Sequence, residues 1–497
     1  MKHKTQYITY IIISLFLCSV LLQAQNELSM QETMLLAQKQ SLSSYKNKNV
    51  FLSNHWSYKS YKSSFLPHLN WYVNPVNYNR RMTVRYDYEN NIDVYREQQT
   101  LSSYTGLNLS QVIVATGGKV YLESDIYRLQ NFNSELDNSY SSTPFRIGLN
   151  QPIGAYNTLK WQKILSPIKY EKAKQEYIQS VQKVNSQTVN LYFNLLLAQS
   201  KKNIAEMNVA TADTLYQMGK RRFDIASIQH EELLDLELSI FNSKIELAQA
   251  EKNLEKTRFN LLSFLGFDNN EKFQPVLPDM VQGLQIDVEN AFELAQQFNP
   301  EILGLKQKMI EAESNLERAR KNSRFSADLN LSYGLNQSAN NLNNAYRDPL
   351  DQQMASISIN VPLLDWGNAK GQRQMAQSQK QVTEIEVKQA LLDFGQEVKL
   401  KVIDFNLQSQ VVLSSAIADS LAFQSYEVTK KRFMLGKVDV LRLTNAMKNS
   451  QQAKENYINS MATYWRYYYE VQQYTLYDFI NNQMLEEDID LLIGNIH

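Results

Sequence analysis

The chain has 497 residues with 51 basic and 51 acidic side chains, and it carries 15 Gly, 10 Pro and a single Cys. Balanced charge leaves no net field to draw nucleic acid or an anionic surface, and so few turn residues over such a length mean few, long elements. One thiol excludes a disulfide framework within the chain. Tyr (29) and Phe (20) are numerous for a chain of negative mean hydropathy, which suits rings that meet lipid headgroups.

The chain opens with Lys2 and Lys4, an apolar run from Ile8 to Leu22, and the cleavage-like Gln23-Ala24-Gln25. This pattern predicts an export signal over residues 1–24. The run is shorter than the roughly 20 residues that cross a bilayer as a helix, and no other stretch approaches that length. Cys18 follows Leu17 rather than a small residue, and apolar residues continue beyond it, so export is favoured over lipidation and leaves a mature chain without thiols.

From residue 25 onward the sequence is written twice. Lys220-Arg221-Arg222-Phe223 recurs as Lys430-Lys431-Arg432-Phe433, and the same shift of 210 carries Pro152 onto Pro362, Ala212 onto Ala422 and Tyr216 onto Tyr426. Nearer the start the shift is about 258, as in Leu36-Ala37-Gln38 against Leu294-Ala295-Gln296, so the first half holds an insertion of roughly fifty residues. The expected organisation is a first repeat over 25–266, a linker over 267–285 around Pro275 and Pro278, a second repeat over 286–480, and a tail over 481–497.

Within the first repeat a helix near Leu28 to Phe65 precedes strands at about 67–152. Leu69, Trp71 and Val73 alternate with His68, Asn70 and Tyr72, and Phe145, Ile147 and Leu149 alternate with Arg146, Gly148 and Asn150. Between them Met82, Val84, Tyr86 and Tyr88 alternate in part, as do Leu107 and Leu109. A tight turn at Thr116-Gly117-Gly118 then leads to a strand over Val120 to Leu129. This extra hairpin has no counterpart in the second repeat, and a short decoration outside the membrane is the simpler expectation.

A helical stretch from Pro152 to Arg222 follows, then a return helix from about Gln229 to Leu265, with the tip near 222–228. The second repeat repeats the order. A helix from Pro300 to Arg324 leads to strands at about 327–362, with Leu329 to Leu335 and Ala355 to Val361 alternating around a loop at 340–349. A stretch from Pro362 to Arg432 and a return from about Leu441 to Phe479 complete it, with the tip near 432–440. At about 1.5 Å per residue, 70 helical residues reach about 100 Å. Leu247, Ala250, Leu254, Thr257, Leu261 and Phe264, and likewise Val387, Leu391, Phe394, Val398, Val402 and Phe405, step by three and four. So narrow a seam joins neighbours side by side and cannot fill a central core, so such a wall can enclose water.

Short two-faced strands cannot stay open in lipid, because unpaired edge amides and carbonyls cost several kcal/mol each. Too few strands for a membrane barrel lie in one copy, so several copies must close it together.

Over nearly its whole mature length the chain resembles the TolC-type outer-membrane efflux family, the outer membrane factors. The resemblance rests on the duplicated order of helix, strand hairpin, long helix and return helix. It rests also on the tips Arg222-Phe223-Asp224-Ile225-Ala226 and Arg432-Phe433-Met434-Leu435-Gly436, similar to the family's Arg-Phe-x-x-Gly, and on Gln151-Pro152-Ile153 and Val361-Pro362-Leu363 leading into the long helices. It implies a mainly α fold with membrane β: coiled-coil helical hairpins forming an α-barrel, and β-hairpins given to an oligomeric transmembrane β-barrel. It further implies a homotrimer with a 12-strand barrel, a 12-helix tunnel and an equatorial belt, in the outer membrane of a Gram-negative cell with most of the chain in the periplasm. The implied function is passive conduction, with a periplasmic adaptor (membrane fusion) protein and an inner-membrane pump of RND, ABC or MFS type as partners. The tip residues Arg222, Phe223, Ala226, Arg432, Phe433 and Gly436 become the adaptor-contact region; tight-turn chemistry is the plainer role for the same residues.

Two departures from the family pattern stand out. Ala226 replaces the first tip Gly, where a left-handed turn is less comfortable. Glu232 occupies the family's acidic position, whereas Arg442 and Asn445 take the corresponding places in the second repeat. Arg442 is therefore expected to face the lumen or to pair with Glu232 or Asp439 of a neighbouring helix and hold the tip closed.

No enzyme chemistry is legible. His3, His55, His68, His230 and His497 lack metal-ligand spacing, and His230-Glu231-Glu232 lacks a second His. Gly367-Asn368-Ala369-Lys370-Gly371 lacks phosphate-loop spacing. Neither metal nor cofactor is expected. Trp71 and Trp366 fit either an aromatic girdle or ordinary packing, and Tyr464-Trp465-Arg466-Tyr467-Tyr468-Tyr469 fits a belt or interhelical packing. A secreted periplasmic coiled-coil scaffold without a pore is the rival class, but it has no use for strands with one oily face.

Overall fold

The computed structural model describes residues 26–132, 138–267, 273–486 and 489–494. The expected export signal, with His3 and Cys18, lies outside the described residues, as does His497. The fold is mainly α with one large antiparallel sheet, and it divides into two compact units that cut across the repeats. One comprises residues up to Leu52, Ala173–Ile302 and Leu391 onward; the other comprises Ser53–Lys172 and Leu303–Ala390.

Four long helices carry the duplication. Helix α3 (Thr158–Asp224) returns as α4 (His230–Leu265), and α7 (Asn368–Met434) returns as α8 (Val440–Thr475), with 67 and 36 residues in both cases. The shorter helices also come in matching pairs, α1 (Met30–Gln40) with α2 (Leu42–Ser63), and α5 (Val288–Phe298) with α6 (Pro300–Asn322). The long helices begin later than Pro152 and Pro362. Pro152 is still in strand register, opposite Asp328, and Pro362 lies in the connector that precedes α7. The cause is steric: the residue before a proline is pushed to extended backbone, so each proline closes the sheet rather than opening the helix. The helix starts belong to polar caps instead. Asn157 Oδ1 accepts the Lys160 amide at 3.1 Å. The Asp365 carboxylate accepts the Ala369 and Gly367 amides at 2.8 and 3.0 Å, which hold this carboxyl below its ordinary range.

In the first unit the core lies where α3, α7 and α8 meet the linker. Val189, Tyr192, Val402, Phe405, Met461, Tyr464 and Tyr468 are all buried there. The aromatic run on α8 is therefore interhelical packing, with the Phe405 ring of α7 5.1 Å from Tyr464 and 5.8 Å from Tyr468. The seam residues Phe394, Val398, Val402 and Phe405 of α7 are buried, as is Leu261 of α4.

The linker is tied to this core. Strand β1 (Asn26–Leu28) pairs in parallel with β6 (Phe273–Pro275). The Tyr192 hydroxyl donates to the Leu28 carbonyl at 2.8 Å and accepts the Val276 amide at 2.9 Å; burial pushes this phenol up to about 12. Past α8, the short strands β9 (Tyr477–Asp478) and β10 (Gln483–Met484) pair, and α9 (Ile489–Gly494) follows in the segment expected as a tail.

The second unit holds the sheet: β2 (His68–Asp87), β3 (Ile92–Ile113), β4 (Gly118–Asn131), β5 (Asn138–Ile153), β7 (Ser326–Ala339) and β8 (Leu350–Asn360), hydrogen-bonded in that order. The added strands of the first repeat extend this same sheet. The first repeat supplies four strands of this one sheet, because β3 pairs with β4 along the whole of β4, from Thr100 opposite Asn131 to Ile113 opposite Gly118.

Candidate functional site

Two regions carry the features of a conduit: the helix reversals and the two-faced sheet.

Both reversals close in the same way. The Ser227 amide donates to the Arg222 carbonyl at 2.8 Å and the Ala226 amide to Phe223 at 2.8 Å; Lys437 and Gly436 donate to Arg432 and Phe433, both at 2.9 Å. These paired bonds satisfy the last carbonyls of α3 and α7 and require a left-handed residue just past each helix. Gly436 takes φ 72° freely, whereas Ala226 takes φ 54° with a Cβ in the way.

The side chains break the symmetry. Phe433 is 4% exposed, packed with Tyr426 and Leu443, while Phe223 is 37% exposed against the His230 ring. Arg222 reaches across to the second tip, its guanidinium 5.6 Å from the Phe433 ring centroid and 3.5 Å from the Phe433 carbonyl. Its counterpart Arg432 is exposed.

The four gate candidates, Glu232, Asp439, Arg442 and Asn445, all lie on exposed surface in the first two turns of α4 and α8 or at the cap before α8. The Asp439 carboxylate accepts the Arg442 amide at 2.8 Å and so caps α8. Among the described residues no ion pair joins the Arg442 side chain to Glu232 or Asp439 within one copy. Gln229 caps α4 without a side-chain bond.

The sheet has one oily face. Reading across its strands, Leu69, Leu109, Leu122, Ile147 and Tyr333 stand opposite one another in register, every one of them at least 38% exposed. The row on the other face reads Asn70, Asn108, Glu123 and Arg146, with Arg146 paired to Glu123. Trp71 lies on the oily face, exposed, with its indole N–H donating to Thr105 Oγ1 at 3.0 Å; Trp366 is exposed at φ 55° before α7.

Sequence reasoning missed a second pair of seams. Leu234, Leu238, Phe241 and Ile245 on α4, and Leu400, Ile403, Leu407, Ile417 and Leu421 on α7, are all at least half exposed in the single chain. The steps of three and four from Leu234 to Ile245 and from Leu400 to Leu407, taken up again at Ile417 and Leu421 after an interval of ten, were the available signal. Among the described residues no helix is long and apolar enough to cross a membrane, and no group of three or more His, Cys, Asp or Glu is placed to hold a metal.

A mainly α chain with duplicated long helical hairpins and a two-faced antiparallel sheet defines the class of outer-membrane channel proteins. The family model described as outer membrane efflux protein matches residues 119–267 and 291–467, and the chain belongs to that family. No curated protein sequence matches the chain. Among solved structures, the CmeC outer membrane channel of Campylobacter jejuni is similar at 16% identity with TM-score 0.66, over 94% of this chain and 88% of that one. The outer membrane protein VceC of Vibrio cholerae is similar at 11% identity with TM-score 0.62, over 92% and 97%. A CusC structure, described in terms of transmembrane channel formation, is similar at 14% identity with TM-score 0.60, over 90% and 91%.

Proposed function

We propose that this chain is the outer-membrane conduit of a tripartite export system: a homotrimer whose sheets close one β-barrel in outer-membrane lipid and whose helices wall a periplasmic tunnel. The observation that carries the reading is the sheet, which combines an exposed oily face with two open edges. In lipid those edges must be paired, and only further copies of the chain can pair them. The exposed seams on α4 and α7 support the same conclusion, since each offers a coiled-coil stripe to a helix the single chain does not supply.

The repeats at 25–266 and 286–480, joined by 267–285, then form two wall segments per copy. A periplasmic adaptor docks at the tips around residues 222–226 and 432–436, and a pump of RND, ABC or MFS type in the inner membrane supplies the energy. Opening follows from movement of the return helices α4 and α8 against α3 and α7. Glu232, Asp439, Arg442 and Asn445 stand at the starts of the two helices that this movement displaces, and Arg442 of one copy is free to meet an acidic partner on another. Cell fractionation with heat-modifiable migration on gels tests the reading: the mature chain runs as a heat-dissociable trimer from the outer membrane, and a monomer in the periplasmic fraction would overturn it.

A further inference from the structure

Resting on that reading, we infer that the first-repeat hairpin β2–β3 is part of the membrane wall, so that each copy contributes six strands and its β2 edge docks on the β8 edge of the next copy. A trimer then closes a barrel of eighteen strands instead of the twelve that four strands per copy would give.

Three observations converge. First, β4 has no edge left for a neighbour: β5 fills one side and β3 fills the other along its full length. A ring closed by β4 against the next β8 would require β3 to be stripped away, exchanging an existing ladder for an equivalent one. Among the described residues the open margins of the sheet are the outer edges of β2 and β8.

Second, the pattern of the added strands is that of the others at the same height. Leu69 and Leu109 extend the oily row of Leu122 and Ile147, while Asn70 and Asn108 extend the polar row of Glu123 and Arg146. Strands lying outside the membrane have no reason to keep an oily side in register with lipid-facing neighbours.

Third, the hairpin changes character where it leaves the shared layer. The β2–β3 register shifts between Asn74 and Asn77, around Pro75, and β3 residues before Thr100 pair with β2 alone. Beyond that point ion pairs of Arg80 with Glu97 and of Arg96 with Asp87 join the two strands. The level of this bulge runs through Asn74, Tyr104 and Tyr127 to Ser141, and below it β5 continues from Ser142 to Ile153, enough for the roughly 9–11 residues of a tilted membrane strand. Chain direction allows the closure: six strands alternate up and down, so β8 of one copy meets β2 of the next antiparallel, as bacterial barrels with their even strand numbers require.

Single cysteines with spin labels in the full-length, membrane-inserted protein test the inference. Leu69→Cys and Leu109→Cys report on the added hairpin, Ile147→Cys and Ile357→Cys on the common strands, and Asn108→Cys on the polar face. The expected result is that the four oily-face labels are relaxed more by oxygen than by a water-soluble nickel chelate, with the order reversed at position 108. Water-dominated labels at 69 and 109 beside lipid-dominated labels at 147 and 357 would overturn the inference and leave the conduit standing; water-dominated labels at all four would overturn the conduit as well. Disulfide scanning adds a second readout. Asn70→Cys combined in turn with Gln352→Cys, Met354→Cys, Ser356→Cys and Ser358→Cys should yield a covalent inter-copy band for at least one pair. Failure of every pair, or bands from Tyr121→Cys in β4 instead, would overturn the inference.

Discussion

The guanidinium of Arg222 lies over the ring of Phe433, 5.6 Å from its centroid, joining the end of α3 to the end of α7. These residues occupy equivalent places in neither repeat, so the contact is an asymmetric clasp between two tips of similar sequence. Phe433 is buried beneath it with Tyr426 and Leu443.

Phe433→Ala removes a buried ring and is expected to destabilise the tip by about 3–5 kcal/mol. Arg222→Ala removes a half-exposed cation–ring contact and is expected to cost about 0.5–1 kcal/mol. Denaturant titration of the detergent-solubilised protein, followed through a fluorophore at the second tip, should rank them in that order.

The unused pair, exposed Arg432 and half-exposed Phe223, is what a ring of copies would bring together, because repeating the clasp around the ring sets the second tip of one copy against the first tip of the next. Arg432→Ala and Phe223→Ala should then be non-additive in the thermal dissociation of the proposed ring, with a coupling of about 0.5–1 kcal/mol. Strict additivity would place the two side chains apart.

Ala226 and Gly436 share a left-handed backbone with different chemistry, at φ 54° and 72°. Ala226→Gly should stabilise the first tip by about 1 kcal/mol, and Gly436→Ala should destabilise the second by a similar amount. Hydrogen exchange at the amides of Ser227 and Lys437 reads both changes, with slower exchange in the first variant and faster in the second.

Much of this was legible in the sequence. The shift of 210 is the spacing between the ends of both long helices, and the oily alternation at Leu69, Ile147 and Leu331 lies on strands of a single sheet. Three features were not legible, each for a physical reason. Pro152 and Pro362 read as helix starts, although a proline constrains its predecessor toward extended backbone and so belongs equally well at a strand's end. The six-strand order depends on which edge β3 takes, a long-range pairing that alternation within one strand does not encode. The different fates of Phe433 and Phe223 follow from which neighbours the single chain provides, and a repeated motif is blind to that.

Asp478, just past α8, accepts a 2.5 Å hydrogen bond from the Tyr468 hydroxyl and is held also by Asn481 and the Ile480 amide. Burial alone would raise this carboxyl, but the hydrogen bonds outweigh it and the group sits below the ordinary 3.8. A depressed carboxyl stabilises the fold above its unfolded value and loses that contribution as pH falls through the folded one. Acidification below about pH 4 should therefore lower the melting temperature of the native protein, whereas Asp478→Asn should melt lower at neutral pH and show a smaller acid-induced drop. An equal pH response in both proteins would exclude Asp478 as the sensor.

Reconstitution of the protein, purified from membranes, into a planar bilayer measures the central claim most directly. A conduit gives discrete conductance steps that increase when Arg222→Ala and Arg432→Ala together release the tips. A protein that purifies as a water-soluble monomer and leaves the bilayer silent, with or without the tip substitutions, would contradict it.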